Sequence, residues 1–170
     1  MGVPAWKDLR KNRTTAAADI VNDKMLNKKK GNNTMTEFNM ELLASELQSK
    51  TSAMALLDLN RVTLEDGKMT ITVTIQDKHL NAHGGAHGGI LYTICDQAVA
   101  AYDIAIGRDG VGMDGSMHYY RPARKGDVLK AIVTNRKMGR KTGNHFVELV
   151  NQDGRLIADA VFTSMYLDEA

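Results

Sequence analysis

The stretch NAHGGAHGGILYTICDQAVAAYDIAI, residues 81–106, decides the fold. Its first nine residues, 81–89, are rich in glycine, which is typical of a loop. From Ile90 to Ile106 the residues are apolar on almost every side, and a helix without a polar face is buried on several sides. Gly107 follows as a suitable helix end. We therefore predict a loop that leads into a central, buried helix.

The segments on both sides of this helix have the two-residue period of β-strands. Before it, four apolar residues alternate with threonines from Met69 to Ile75, which predicts a strand in a hairpin with residues 53–64 across a turn at 65–67. After it we predict four strands, with an Asp153-Gly154 turn before the last: 112–120, 128–138, 144–150 and 155–167. The order is helix, hairpin, buried helix and antiparallel meander. This predicts an α+β fold in which one curved antiparallel sheet wraps one long helix.

The N-terminal residues differ from the rest of the chain in charge. Residues 1–33 carry eight Lys or Arg against three Asp, a net charge of +5, whereas the other 137 residues sum to −3. We predict a flexible basic extension; binding of an anionic surface by this segment stays open. Thr34 to Glu37 form a capping-box pattern, so a helix is expected over about 35–48 and the folded domain over 34–170.

Composition limits the compartment and the partners. Cys95 is the only cysteine, so an intrachain disulfide is impossible, and a reducing compartment such as the cytoplasm is expected. No apolar run reaches the roughly 18–20 residues of a membrane span, and no signal-peptide core stands near Met1. The basic segment is too short for a helix-turn-helix. We therefore expect neither a membrane nor a nucleic acid as partner.

The start of the buried helix suits chemistry on a carbonyl group. A helix N-terminus has free amides and a partial positive charge, which stabilise a developing oxyanion. Gly88 and Gly89 have no side chains to keep a ligand from that backbone. Asp96 is the only acid between residues 84 and 102, and a carboxylate acts as a base for water or as a nucleophile. A structural role for Asp96, or for the glycines as a tight turn, stays open.

The spacing of these groups has a consequence for assembly. Asp96 follows Gly88 by eight residues, which is about 12 Å along a helix. One substrate carbonyl cannot lie beside both groups of the same chain. If both act on it, they come from different subunits of a two-fold dimer.

Several motifs together resemble one family. They are Asn81-x-x-Gly84-x-x-His87-Gly88-Gly89 with Asp96 after six more residues, Tyr120-Arg-Pro-Ala-Arg-Lys-Gly-Asp127, Gly139-Arg140, and Asp153-Gly-Arg-Leu-Ile-Ala158. The chain resembles the hotdog-fold acyl-CoA thioesterases of the phenylacetyl-CoA (PaaI-like) type over roughly residues 50–167.

The resemblance implies metal-free and cofactor-free hydrolysis of an acyl-CoA by a homodimer, or by a dimer of dimers (a homotetramer). By position it makes Asp96 the catalytic acid and Gly88 the amide donor, with His87 and Asn81 lining the site. We expect Gly89, Tyr92, Ser116, Arg121 and Arg140 to contact the substrate. Contact with the phosphates and adenine of CoA is an option for the basic residues near predicted strand ends, for each of which a role as a solvated turn charge stays open: Arg121, Arg124, Lys125, Arg140 and Lys141.

Two positions depart from the family. Some relatives carry a hydroxyl residue one turn after the acid, where this chain has Ala100. Some carry a serine early on the next strand, where this chain has Gly112, with Ser116 further on. Positioning of water by a hydroxyl is therefore in question, and Asn81 is expected to carry more of it.

Other interpretations of the site rest on less. His83 and His87 are four residues apart, but they lie in a loop without a clear third metal ligand. Cys95 is expected to be a packed apolar residue, since the sequence places no basic neighbour beside it. The main alternative function is a non-catalytic acyl-CoA sensor on the same fold. The pattern does not identify the acyl group.

Overall fold

The computed structural model describes residues 56–167. They contain β1 (Leu59–Glu65), β2 (Lys68–Thr74), a short 3-10 turn (Asp77–His79), α1 (Gly88–Ala105), β3 (Gly110–Tyr119), β4 (Val128–Met138), β5 (Thr142–Val150) and β6 (Leu156–Tyr166). The predicted basic extension over 1–33, the capping box at Thr34, the helix over 35–48 and the predicted strand residues before 56 lie outside the described residues. The first strand begins at Leu59, later than predicted.

The six strands form one antiparallel sheet in the order β1-β2-β4-β5-β6-β3, with α1 packed on one face. The predicted α+β hotdog architecture, a long helix against a curved antiparallel sheet, is confirmed. The predicted meander is right for β4, β5 and β6 but wrong for β3. That strand pairs with β6 at the far edge, and the chain then crosses to β4 beside β2.

The side chains of β3 do not alternate regularly between the two faces of the sheet, because the strand contains one extra residue. The pairing with β6 shifts between Gly112 and Asp114, so Met113 is bulged out of the ladder and its side chain is 59% exposed. On the two sides of this β-bulge, Gly112 and Gly115 both face the helix, because a substituent on either would meet helix side chains. The bulge therefore keeps small residues opposite α1.

The helix packs most of its apolar residues against the inner face of the sheet. Its buried side chains include Leu91, Ile94, Ala98 and Tyr102. The predicted burial on several sides does not extend to Asp96, whose side chain is exposed. The six described strands cover one side of α1.

The boundaries of α1 follow from its caps. The helix begins at Gly88, two residues before the predicted Ile90, since His87 is the N-cap residue. Gly107, with φ of 77°, follows the helix end as predicted. Within the described part of the chain, no helix is long and apolar enough to cross a membrane.

Candidate active site

His87 fixes the start of α1 and uses one of its free amides. Its Nδ1 accepts a hydrogen bond from the Gly89 N–H at 2.9 Å, and its carbonyl accepts from the N–H groups of Ile90 and Leu91. Because Nδ1 is an acceptor, the neutral ring carries its proton on Nε2. Within residues 56–167 no acceptor faces the Gly88 N–H. The backbone amide that remains for a ligand is therefore that of Gly88.

The loop before the helix is held by Asn81. The Asn81 Oδ1 accepts hydrogen bonds from the N–H of His83 at 2.9 Å and of Gly85 at 3.3 Å. Gly84 takes a φ of 76°, which allows the tight turn between them. The oxygen of Asn81 is thus occupied by the loop, and its Nδ2 is the group left for a substrate or a water molecule.

Asp96 has no hydrogen-bond or ion-pair partner among the described residues. Solvent reaches its side chain, yet nearby protein atoms displace part of its hydration, and this desolvation raises the pKa of the carboxyl above its ordinary value. The facing residue on β3 is Gly112, where an added Cβ would lie 3.7 Å from the Asp96 Oδ1. The Asp96 carboxylate is therefore free of partners among the described residues and accessible to solvent. Its pKa is raised, which is the direction that suits a general base.

Tyr119 was missed by the sequence analysis. Its hydroxyl donates a hydrogen bond to the Gly88 carbonyl at 3.1 Å, and its ring lies 3.4 Å from where a Gly88 side chain would begin. The Tyr119 side chain is 52% exposed although it points toward the helix. The pattern of β3 predicts inward-facing residues but does not show that one of them reaches the helix start.

A cavity of about 440 Å³ opens at the helix start, between the loop 81–88 and residues 119–124. Arg121 lines this cavity and also a second one of about 320 Å³, and its guanidinium donates to the Leu156 carbonyl at 2.8 Å. Arg121 thus brings a positive charge to the cavity beside Gly88. Arg140 lies at the other end of α1, where its carbonyl accepts a hydrogen bond from Arg108.

The remaining candidate residues lie in three different settings. Ser116 is exposed and follows Gly115, so it points to the sheet face away from the helix. Cys95 is buried, and burial raises the pKa of its thiol, which disfavours the reactive thiolate. Tyr102 is a core residue, edge-to-face with the His145 ring at 5.4 Å between centroids. Within residues 56–167 no three His, Cys, Asp or Glu side chains are grouped to hold a metal.

The site therefore combines a free helix-start amide, a free carboxylate on the same helix and a cavity with an arginine, all on a hotdog fold. These groups suit a class of proteins that act on a carbonyl group, because an amide stabilises a developing oxyanion and a carboxylate serves as a base or a nucleophile.

Comparisons with known proteins place the chain in a family. The thioesterase superfamily model matches residues 83–158. The acyl-coenzyme A thioesterase PaaI of Escherichia coli K12 is 30% identical over 102 residues, which are 60% of this chain and 73% of that protein. The human acyl-coenzyme A thioesterase 13 is 26% identical over 132 residues, 76% of this chain and 94% of that protein.

Solved structures of related proteins are also similar to this chain. A Streptococcus mutans UA159 protein bound to acetyl-CoA has a TM-score of 0.63 at 32% identity, covering 66% of this chain and 90% of that one. The E. coli PaaI structure has a TM-score of 0.67 at 24% identity, covering 77% of this chain and 98% of that one, and supports the fold. The chain belongs to the thioesterase superfamily. The prediction of a PaaI-like hotdog thioesterase is thereby confirmed.

Proposed function

We propose that the protein hydrolyses an acyl-CoA thioester to the free acid and CoA. The observation that carries this proposal is that Gly88 and Asp96, on one helix, leave an amide and a carboxylate unused by the described residues. Two relatives support the substrate: the PaaI protein is named an acyl-CoA thioesterase, and the Streptococcus mutans structure holds acetyl-CoA.

The reaction follows from these groups. The Gly88 N–H donates a hydrogen bond to the thioester oxygen, which gains negative charge when the carbonyl carbon is attacked. In the general-base route, Asp96 takes a proton from water as the water oxygen bonds to that carbon. The carbon–sulfur bond then breaks, and the CoA thiolate takes up a proton. In the nucleophilic route, the Asp96 carboxylate attacks the carbonyl carbon, the carbon–sulfur bond breaks, and the CoA thiolate leaves and takes up a proton; water then hydrolyses the resulting anhydride to the acid and the free Asp96 carboxylate.

We propose that two chains share each site. Gly88 and Asp96 are about 12 Å apart along α1, too far for one carbonyl. Among residues 56–167, β3 is an edge strand that pairs only with β6, and Asp96 on the nearby side of α1 is exposed. An unprotected edge of ten residues is a ready surface for a second copy. Two-fold pairing there would create two equivalent sites, and a dimer of dimers extends the same proposal.

The other parts of the proposal concern binding and conditions. Arg121 contacts a CoA phosphate near the helix start, whereas Arg140 can reach the same site only from the second subunit. His87 acts by capping the helix. Hydrolysis needs no metal or cofactor, and the cytoplasm is the proposed compartment.

The first experiment is a panel of acyl-CoA thioesters assayed for release of the CoA thiol, with and without a chelator. We expect turnover of at least one thioester in both conditions. Tight binding of acyl-CoA without thiol release would identify a sensor and refute the enzyme. Loss of activity in chelator, restored by zinc, would refute the metal-free reaction.

The second experiment tests the shared site by subunit exchange. Gly88→Trp blocks the amide, since any side chain there meets the Tyr119 ring, and Asp96→Asn removes the carboxylate. Each homodimer should be almost inactive. A mixed dimer then has one site with both changes and one with neither, and should recover about half of the wild-type activity. Confirmed exchange without recovery would contradict the shared site.

A further inference from the structure

We infer that Tyr119 is a positioning residue for the reaction. Its hydroxyl, together with the ring of His87, holds the peptide group that joins Gly88 to Gly89 at the start of α1. The inference rests on the proposed thioesterase function, in which the Gly88 N–H stabilises the oxyanion. Tyr119 acts on that amide through the backbone of the helix start.

The peptide group between Gly88 and Gly89 is held by side chains at both of its polar atoms. Its oxygen accepts a hydrogen bond from the Tyr119 hydroxyl at 3.1 Å, and its N–H donates one to the His87 Nδ1 at 2.9 Å. Both flanking residues are glycines, whose backbone dihedral angles are the least restricted of all residues. The N–H groups of a first helical turn also lack partners within the helix. The two side chains therefore restrain a peptide group that its own residues leave free to rotate.

This restraint reaches the Gly88 N–H, because the dihedral angles of Gly88 set the angle between its N–H and its carbonyl. On the other side of the Gly88 Cα, the His87 carbonyl accepts hydrogen bonds from the N–H groups of Ile90 and Leu91. The peptide groups before and after Gly88 are thus both held, and the direction of its N–H is fixed between them. A donor that is oriented in advance stabilises a developing oxyanion without a cost of reorientation.

Tyr119 is itself held firmly by the sheet. It pairs with Ala158 of β6, and the N–H of the next residue donates to the Ile157 carbonyl at 2.8 Å. It follows Gly115 by four residues along β3, so its side chain points to the same face, toward α1. Tyr119 and Gly88 both line the cavity of about 440 Å³. The end of β3 therefore brings the hydroxyl to the helix start, while the ring forms part of the cavity wall.

The first test is Tyr119→Phe, which removes the hydroxyl and keeps the ring. Loss of a whole oxyanion donor costs about 100-fold to 1000-fold in kcat, so a donor that is only less well oriented should cost about tenfold. KM should stay near wild type because the cavity wall is unchanged. The melting temperature should also change little, since the lost hydrogen bond is exposed to solvent. The control is Tyr102→Phe, which removes a tyrosine hydroxyl from the core near the other end of α1 and should keep the wild-type kcat.

The second test is a double-mutant cycle with His87→Ala, which removes the other side-chain bond to the same peptide group. If both residues hold one peptide group, the loss of kcat in the double variant should be smaller than the product of the two single losses. A residue with a merely structural role would give the full product. Wild-type kcat in Tyr119→Phe, or losses that multiply, would overturn the inference and leave the proposed function standing.

A measurement without substrate separates the two proposals. In amide NMR spectra, Tyr119→Phe should shift the Gly88 and Gly89 signals and speed their hydrogen exchange, whereas Tyr102→Phe should leave both signals in place. Unchanged glycine signals in Tyr119→Phe would overturn the inference. A wild-type protein that hydrolyses no thioester would refute the proposed function, and with it the role of Tyr119 in the reaction, even where the spectra show that Tyr119 holds the peptide group.

Discussion

Helix α1 carries two aspartates seven residues apart, and their surroundings are opposite. Asp103 is 2% exposed, and its Oδ1 accepts a hydrogen bond from the Tyr166 hydroxyl and lies 3.3 Å from the His145 Nε2. Asp96 is reached by solvent and has no partner among the described residues. The pKa of Tyr166 is raised to about 12 by burial and by the Asp103 charge, so its hydroxyl stays protonated and donates. Asp103 is thus bound into the fold, whereas the carboxylate of Asp96 is unused by the described residues.

Replacing the free acid should have the largest effect on turnover. Asp96→Asn is expected to lower kcat about 100-fold, the scale for losing a general base or a nucleophile. The pKa of Asp96 is raised by desolvation, so the folded state binds its proton more tightly than the unfolded state. Stability associated with this group therefore falls as pH rises through its pKa, and at neutral pH the Asn variant should be as stable as wild type or more so. Full activity, or a clear loss of melting temperature, would place Asp96 in the same structural role as Asp103.

Replacing the buried acid, Asp103, should lower stability and leave turnover almost unchanged, the opposite of the result expected for Asp96. Asp103→Asn replaces the charged acceptor of the Tyr166 hydroxyl by a neutral one, so we expect the free energy of unfolding to fall by about 2 kcal/mol. The kcat of the protein that remains folded should stay near wild type. Urea denaturation measures the stability, with Glu148→Gln, an exposed acid on the outer sheet face, as the matched control. A large loss of kcat without loss of stability would show that Asp103 takes part in the reaction.

The smallest expected effect concerns the pH dependence. In wild type, kcat/KM should rise with pH through the raised pKa of Asp96, since the base works in its ionised form. Gly112→Ser places a hydroxyl beside the Asp96 Oδ1, and a hydrogen bond to the ionised form lowers a pKa. The rising limb should therefore move to lower pH, with a change of only a few-fold at neutral pH. If the rise of kcat/KM with pH occurs at the same pH in Gly112→Ser as in wild type, a group other than Asp96 controls it.

The sequence alone predicted the candidate site residues that lie close to one another along the chain. His87, Gly88 and Asp96 lie in one loop and one helix, so their spacing alone predicts a helix start with a carboxylate beyond it. The limits of β4 were predicted to the residue for the same reason, because alternation is a local signal.

The parts that were missed depend on pairing between distant segments. The position of β3 beyond β6 cannot be derived from the period of β3. Ser116 shows the effect on the site: counted by twos from Gly112, it would face the helix, but the bulge at Met113 reverses the alternation and places it on the other face. Tyr119 was missed because its contact with Gly88 joins the end of a strand to the start of a helix 31 residues earlier.

The bulge at Met113 also affects how this chain should be aligned with its relatives. The extra residue is absorbed at the free edge of the sheet, so deleting it would restore simple alternation with Gly112 still opposite Asp96. We therefore expect a deletion of one residue at this point to keep Gly112 opposite Asp96. Where a relative is one residue shorter in this strand, the gap belongs at position 113. Set elsewhere in the strand, the gap would align the wrong residue of the relative with Gly112, the residue that faces Asp96.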